Sequence, residues 1–221
     1  MNNEYKDFLN SQLELPYYKE IISFLNSEIA NNKIIYPNKE NRFHAFKITP
    51  FNKLKVVIFG QDPYHRKNVA DGLAFSSNET KTPKSLVNIF KELKNEYSNI
   101  ELNTNSLSVW ANQGVLLLNT YLSVEEGKPN SHSKIGWDIF IENFIEYLNS
   151  NKDFLIFILW GNHAKKLKPL ISSKFKILES SHPSPFSVNK GFFGNNHFRK
   201  VNEILRQENL QEIDWNLKDF K

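Results

Sequence analysis

The chain has 221 residues, enough for one ordinary α/β domain whose core buries most of its apolar surface. Its composition, 40% hydrophobic and 24% charged, is globular, and no apolar stretch approaches the roughly 20 residues of a spanning helix, which excludes a membrane protein. Zero cysteines exclude disulfides, thiolate metal sites, iron–sulfur clusters and cysteine nucleophiles together, and the net charge of +4 is too small to name a partner by itself.

The start, Met1 to Asp7, lacks the basic and apolar regions of a secretory signal, so the expectation is a cytoplasmic, monomeric enzyme or binding domain. No repeat, linker or composition shift marks a boundary, which predicts one domain over residues 1–221. Pro16 opens an amphipathic helix carrying Ile21, Ile22, Leu25 and Ile29 and ending near Asn31. The apolar run Val56 to Phe59 reads as a strand buried on both faces and leads into Gly60-Gln61-Asp62. Thr82 is read as the cap of a helix with Pro83 at its first position, followed by Leu86, Ile89, Phe90 and Leu93.

A second strand, Val115 to Leu118, leads into Asn119, and a helix with Trp137, Phe140, Ile141, Phe144, Ile145 and Leu148 follows. Phe154 to Trp160 runs into Gly161-Asn162-His163, and the weaker run Phe175 to Leu178 leads to Ser181-His182. Alternating strands and helices predict an α/β fold with a parallel sheet and right-handed crossovers. From Leu155 to Lys200, eight Lys and Arg residues stand against Glu179 alone, a polarity that suits a polyanionic partner as well as a solvated helix face.

Parallel strands bring their carboxyl ends to one edge, where open α/β sheets bind ligands, so Asp62, Asn119, His163 and His182 should converge there. Each alone also fits an ordinary turn or a satisfied histidine. With no Gly-x-Ser-x-Gly elbow and no phosphate-cradling Gly-rich loop, hydrolysis assisted by Asp and His is the natural chemistry. Asp62, His65 and His182 also compose a metal-ligand set, and a catalytically silent DNA-binding module would use the same edge.

Four segments then carry a resemblance: Gly60-Gln61-Asp62-Pro63-Tyr64-His65, Gly72-Leu73-Ala74-Phe75-Ser76, Leu116-Leu117-Leu118-Asn119-Thr120, and His182-Pro183-Ser184-Pro185-Phe186-Ser187 with Gly191-Phe192-Phe193-Gly194. In type and order they resemble the first family of uracil-DNA glycosylases, from about Phe43 to Arg199. The resemblance implies a single domain with a central four-stranded parallel sheet flanked by helices. It implies a monofunctional DNA repair enzyme that flips uracil out of DNA and hydrolyses its N-glycosidic bond, with no cofactor and no metal. Asp62 would direct the attacking water and His182 would donate to uracil O2. Gln61, Tyr64, Phe75 and Asn119 would bind the base, Asn119 reading N3–H and O4, Tyr64 excluding a C5 methyl and Phe75 stacking.

DNA contacts would come from Ser85, Asn162, Ser184 and Ser187 on phosphates, and from Phe186 as a wedge in the base stack. Three departures from the family pattern bear on these contacts. Phe186 stands where leucine is usual, Asn162 where serine is usual, and Lys81 to Ser85 holds one proline where several are common. The family also makes a uracil-mimicking protein inhibitor a partner to test.

Overall fold

The computed structural model describes residues 3–218. Two helices, α1 (Asn3–Leu13) and α2 (Pro16–Ala30), lead through β1 (Ile35–Tyr36) and α3 (His44–Ile48) into β2 (Val56–Gly60). Next come α4 (Lys84–Glu96), α5 (Ser108–Asn112), β3 (Val115–Asn119), β4 (Val124–Glu125) and α6 (Trp137–Asn151). The chain finishes with β5 (Ile156–Trp160), α7 (Gly161–Lys165), β6 (Lys176–Ser180) and α8 (His197–Gln207). None of these helices is long and apolar enough to cross a membrane.

The expected four-stranded parallel sheet is present, in the order β3-β2-β5-β6, with helices flanking it. Every residue of β2, β3 and β5 is buried, which is why these strands read as unbroken apolar runs. β6, at the edge opposite β3, leaves Lys176 and Glu179 exposed, hence its weaker signal. β1 and β4 form a separate antiparallel pair.

Two features of the sheet create the site. The chain passes from β2 to β3 on one side, then crosses to β5 and β6 on the other, so the direction of winding reverses between β2 and β5. Pairing of β2 with β3 continues to Gly60 and Asn119, and β5 with β6 to Trp160 and Ser180. Between β2 and β5 the last pair is Ile58 with Ile158, two residues short of either strand end. The carboxyl ends therefore part, and a crevice opens between them.

Two aromatic clusters hold helices in place. Tyr5 and Phe8 of α1, Phe46 of α3, and Phe140 and Phe144 of α6 interlock, with Phe46 edge-on to Phe144 at 5.0 Å. Trp110 of α5, Phe198 of α8 and Trp215 form the other, with Phe198 and Trp215 centroids 4.9 Å apart. Each such ring contributes on the order of 2 kcal/mol by burial.

Two predicted details need correction. Thr82 does not cap α4: its hydroxyl donates to Asn105 Oδ1, and the helix begins at Lys84, with Pro83 as the residue before it. Helices α1 and α8, and the short helices α3, α5 and α7, lay outside the predicted elements. The amino end of α8 is held by two buried carboxylates of α4, a favourable place for negative charge. Glu92 accepts from the backbone N–H groups of Gly194 and Asn196, and Glu96 from that of Arg199.

Candidate active site

Gly60, Gln61, Asp62, Tyr64, Phe75, Ser85, Asn119 and His182 line a cleft of about 180 Å³ at the parted strand ends. A contiguous recess of about 140 Å³ shares Gly60, Gln61 and His182 and adds Gly161, Asn162 and His163. The four expected strand-end residues thus come to one place. Larger cavities lie elsewhere, about 360 Å³ beside α8 and about 590 Å³ at the opposite edge of the sheet, but neither gathers these groups.

Asp62 is fixed from above by residues after β4. The backbone N–H of Asn130, a residue in the left-handed region at φ 62°, donates to Asp62 Oδ2 at 2.8 Å. The Gln61 side-chain amide donates to Asn130 Oδ1, so Gln61 braces the same contact. Burial pushes the Asp62 carboxyl above the usual aspartate range, opposed by the Asn130 N–H and by His65 and His163. A carboxylate of raised pKa is a stronger proton acceptor, which suits a group that orients and deprotonates water.

The His182 ring is oriented by its own turn. Its Nδ1 accepts the backbone N–H of Ser184 at 3.0 Å, which assigns the ring proton to Nε2. Burial, and then His163, hold its pKa below the ordinary histidine value, so the ring is neutral and a donor through Nε2. Asn88 of α4 anchors the turn by donating to the Pro183 carbonyl at 2.7 Å.

Two glycines make room for these groups. A Cβ on Gly60 would lie 2.2 Å from Asn119 Oδ1, and one on Gly161 would lie 2.7 Å from the Cβ of His182. Asn119 is 7% exposed, and no hydrogen bond joins its side chain to another described residue, leaving donor and acceptor for a ligand. Gly60→Ala is expected to lower stability by about 1–3 kcal/mol in urea unfolding, the usual cost of overpacking. Unchanged stability would mean that Asn119 swings aside freely.

Phe75 lies across the cleft with its ring 5.8 Å from His182 and edge-on to Trp160 at 5.5 Å. Its φ of 66° is one that aromatic residues rarely adopt and that costs about 1–3 kcal/mol. The Tyr64 hydroxyl donates to the Phe75 carbonyl at 3.2 Å, tying the Tyr64 ring to the Phe75 main chain.

The DNA-facing candidates surround this cleft. Ser85 lies in the first turn of α4, where unpaired backbone N–H groups favour anions. Asn162 is exposed in α7. Phe186 is 93% exposed at the tip of the turn after His182. The hydroxyls of Ser184 and Ser187 meet at 3.0 Å, and Ser187 also donates to the His182 carbonyl, so both brace the turn that carries Phe186. The basic segment divides in use: Lys165 and Lys166 follow the recess, Lys168 pairs with Glu179, and Arg199 packs on α4.

Asp62, His65 and His182 do not form the alternative metal set. Among the described residues, no three His, Asp or Glu side chains are grouped to hold an ion. His65 instead faces Asp62 electrostatically. His163 bonds Thr120 at 2.6 Å, and Thr120 in turn donates to the Gln61 carbonyl. Sequence reasoning missed Asn130, whose main-chain donor leaves no mark in side-chain type, and the buried Asp71, which bonds the residues on either side of Ala74 and Phe75.

The sequence pattern of the Uracil DNA glycosylase superfamily matches residues 46–206. The chain belongs to that superfamily. It is 51% identical to the uracil-DNA glycosylase of Mycoplasmopsis pulmonis over 98% of this chain and 100% of that protein. It is 50% identical to that of Francisella tularensis subsp. novicida, over 96% and 98%. Among solved structures, mimivirus uracil-DNA glycosylase superposes with a TM-score of 0.92 at 32% identity, covering 98% of this chain and 87% of that one. A mimivirus UNG variant solved in complex with UGI matches equally well. The fold described above is thus that of this superfamily.

Proposed function

We propose that this cleft receives a uracil base flipped out of DNA and hydrolyses its N-glycosidic bond, as a uracil-DNA glycosylase of the first family. The observation that carries the reading is the meeting of a fixed carboxylate, a neutral imidazole donor, an amide with no hydrogen bond to another described residue and an aromatic ring at the parted strand ends. Asp62 orients water toward the anomeric carbon and takes its proton as the new C–O bond forms. The C–N bond breaks with its electron pair moving to uracil, leaving positive charge on the sugar, which the carboxylate stabilises. Negative charge develops at uracil O2, where His182 Nε2–H donates.

The pocket reads the base by hydrogen-bond type and shape. Asn119 accepts from N3–H and donates to O4, whereas cytosine offers the reverse pattern there and leaves both groups mispaired. Tyr64 closes the space at C5 against thymine, and Phe75 stacks on the ring, an interaction of about 1–3 kcal/mol per base. Phe186 enters the base stack as an aromatic wedge. Ser85, Asn162, Ser184 and Ser187 contact phosphates. Uracil-containing DNA is the partner, and a protein that presents uracil-like edges would block the same cleft. The protein works as a monomer in the cytoplasm, and water is the only co-reactant that the step requires.

The test is a labelled single-stranded oligonucleotide with one internal uracil, incubated in excess chelator and then heated in alkali. Strand scission only after alkali, and none with thymine or cytosine controls, is the expected result. Scission before alkali that chelator abolishes would instead indicate a metal-dependent nuclease, and no product at all a binding module. Within the same assay, Asn119→Asp should gain activity on cytosine and Tyr64→Ala on thymine. If neither variant gains its substrate, the pocket assignment is wrong even with uracil activity intact.

A further inference from the structure

Phe75 owes its rare backbone conformation to anchors on either side. Before it, the Ala74 N–H donates to the Leu117 carbonyl at 3.0 Å, which pins the segment to the outer edge of β3 two residues from Asn119. After it, Ser76 is fully buried, and its hydroxyl donates to Asp71 Oδ2 while accepting the Leu107 N–H at 3.0 Å. Asp71, 7% exposed, also accepts the Leu73 N–H at 3.0 Å. One buried carboxylate thus closes the loop on itself from Leu73 to Ser76, and Ser76 carries that closure to the start of α5. A left-handed aromatic residue persists only where its surroundings over-determine it.

We propose that Asp71, acting through Ser76, is a positioning residue that sets the Phe75 ring against the base. Asp71 is not among the residues that line the cleft. The inference rests on reading the cleft as a uracil pocket. Its chemistry is directional: the carboxylate only accepts, so the Ser76 hydroxyl gives it its one proton and takes the Leu107 N–H on a lone pair. An amide at position 71 offers one acceptor oxygen to two donors, the Leu73 N–H and the Ser76 hydroxyl, so one of them loses its acceptor.

The test compares Asp71→Asn, Ser76→Ala and the double variant with the wild-type chain in three measurements: inhibition by free uracil, kcat and KM on uracil-containing DNA, and binding to DNA that already holds an abasic site. Free uracil reads the stack without the backbone contacts. Its inhibition should weaken about tenfold in each single variant and no further in the double, since residues acting in series are not additive. kcat should fall, and binding to abasic DNA should stay within about twofold. Unaltered inhibition by uracil, or additive losses in the double variant, would overturn the proposal. Ser76→Ala removes a single oxygen and carries the test if Asp71→Asn does not fold. A crystal structure of Ser76→Ala separates the two layers of argument. Phe75 unmoved there overturns the strut whatever the activity, whereas a shifted Phe75 in a protein without uracil excision keeps the strut and overturns only the reading of the pocket.

Discussion

Asp62→Asn is expected to lower single-turnover uracil excision by about 10³-fold, within the range that a positioned acid or base supplies. Asparagine keeps an oxygen for the Asn130 N–H, so the turn survives and only the charge is lost. Binding to uracil-containing DNA should persist, measured by fluorescence anisotropy on the intact substrate. Stability should move the other way. The partly buried carboxyl has a folded pKa above its unfolded value, so its contribution is fully present below the ordinary aspartate pKa and is lost as pH rises through the folded value. Asn removes that cost. Thermal unfolding should therefore show a higher Tm for the variant at neutral pH, with the gain fading below about pH 4. A variant that is both inactive and less stable at neutral pH would mean that Asp62 is a structural anchor.

His182→Ala removes the donor aimed at uracil O2, and kcat should fall by about 10²–10³-fold, as when one donor of an oxyanion hole is lost. The pH–rate profile tests the protonation state. Because burial and His163 depress the imidazole pKa, the folded protein keeps the ring neutral through the ordinary histidine range. Wild-type kcat should accordingly show no decline as pH rises through about 6.5. A decline there that disappears in the variant would show that a cationic His182 does the work. The sign for stability is that of a depressed histidine: its contribution is present above the unfolded pKa and lost as pH falls through the folded one.

Much of the architecture was legible because three of the four sheet strands are buried on both faces and so are written as plain apolar runs. The edge strand β6 alternates less clearly, since Lys176 and Glu179 face solvent. Helix α8 went unread for another reason. Its apolar positions Phe198, Val201 and Leu205 have helical spacing, but they are interleaved with the cations that gave the segment its basic character. The acids that hold its amino end sit on α4, where Glu92 and Glu96 look in sequence like a solvated face although both are buried. Thr82 illustrates the opposite failure, a good capping residue claimed by a tertiary partner, Asn105.

The site was legible in residue type and less so in support. Asn119 ends a strand and Asp62, His163 and His182 follow strands, so topology alone gathers them. Gly60 and Gly161 are visible as glycines, yet only the structure shows that each leaves space for a particular neighbour. Asn130 holds Asp62 through its main chain and Asp71 holds the Leu73–Ser76 segment, and neither has a spacing that betrays it.

The polarity of the sheet has a practical consequence for handling the molecule. Its reactive groups lie beyond the carboxyl ends of the strands, while Asn112 and Asp153 are exposed near the amino ends of β3 and β5. In a chain without cysteine, a single thiol introduced at either position would be a unique attachment point. A surface tethered there would hold the protein with its cleft facing outward, so that long DNA could be drawn past immobilised molecules in one orientation.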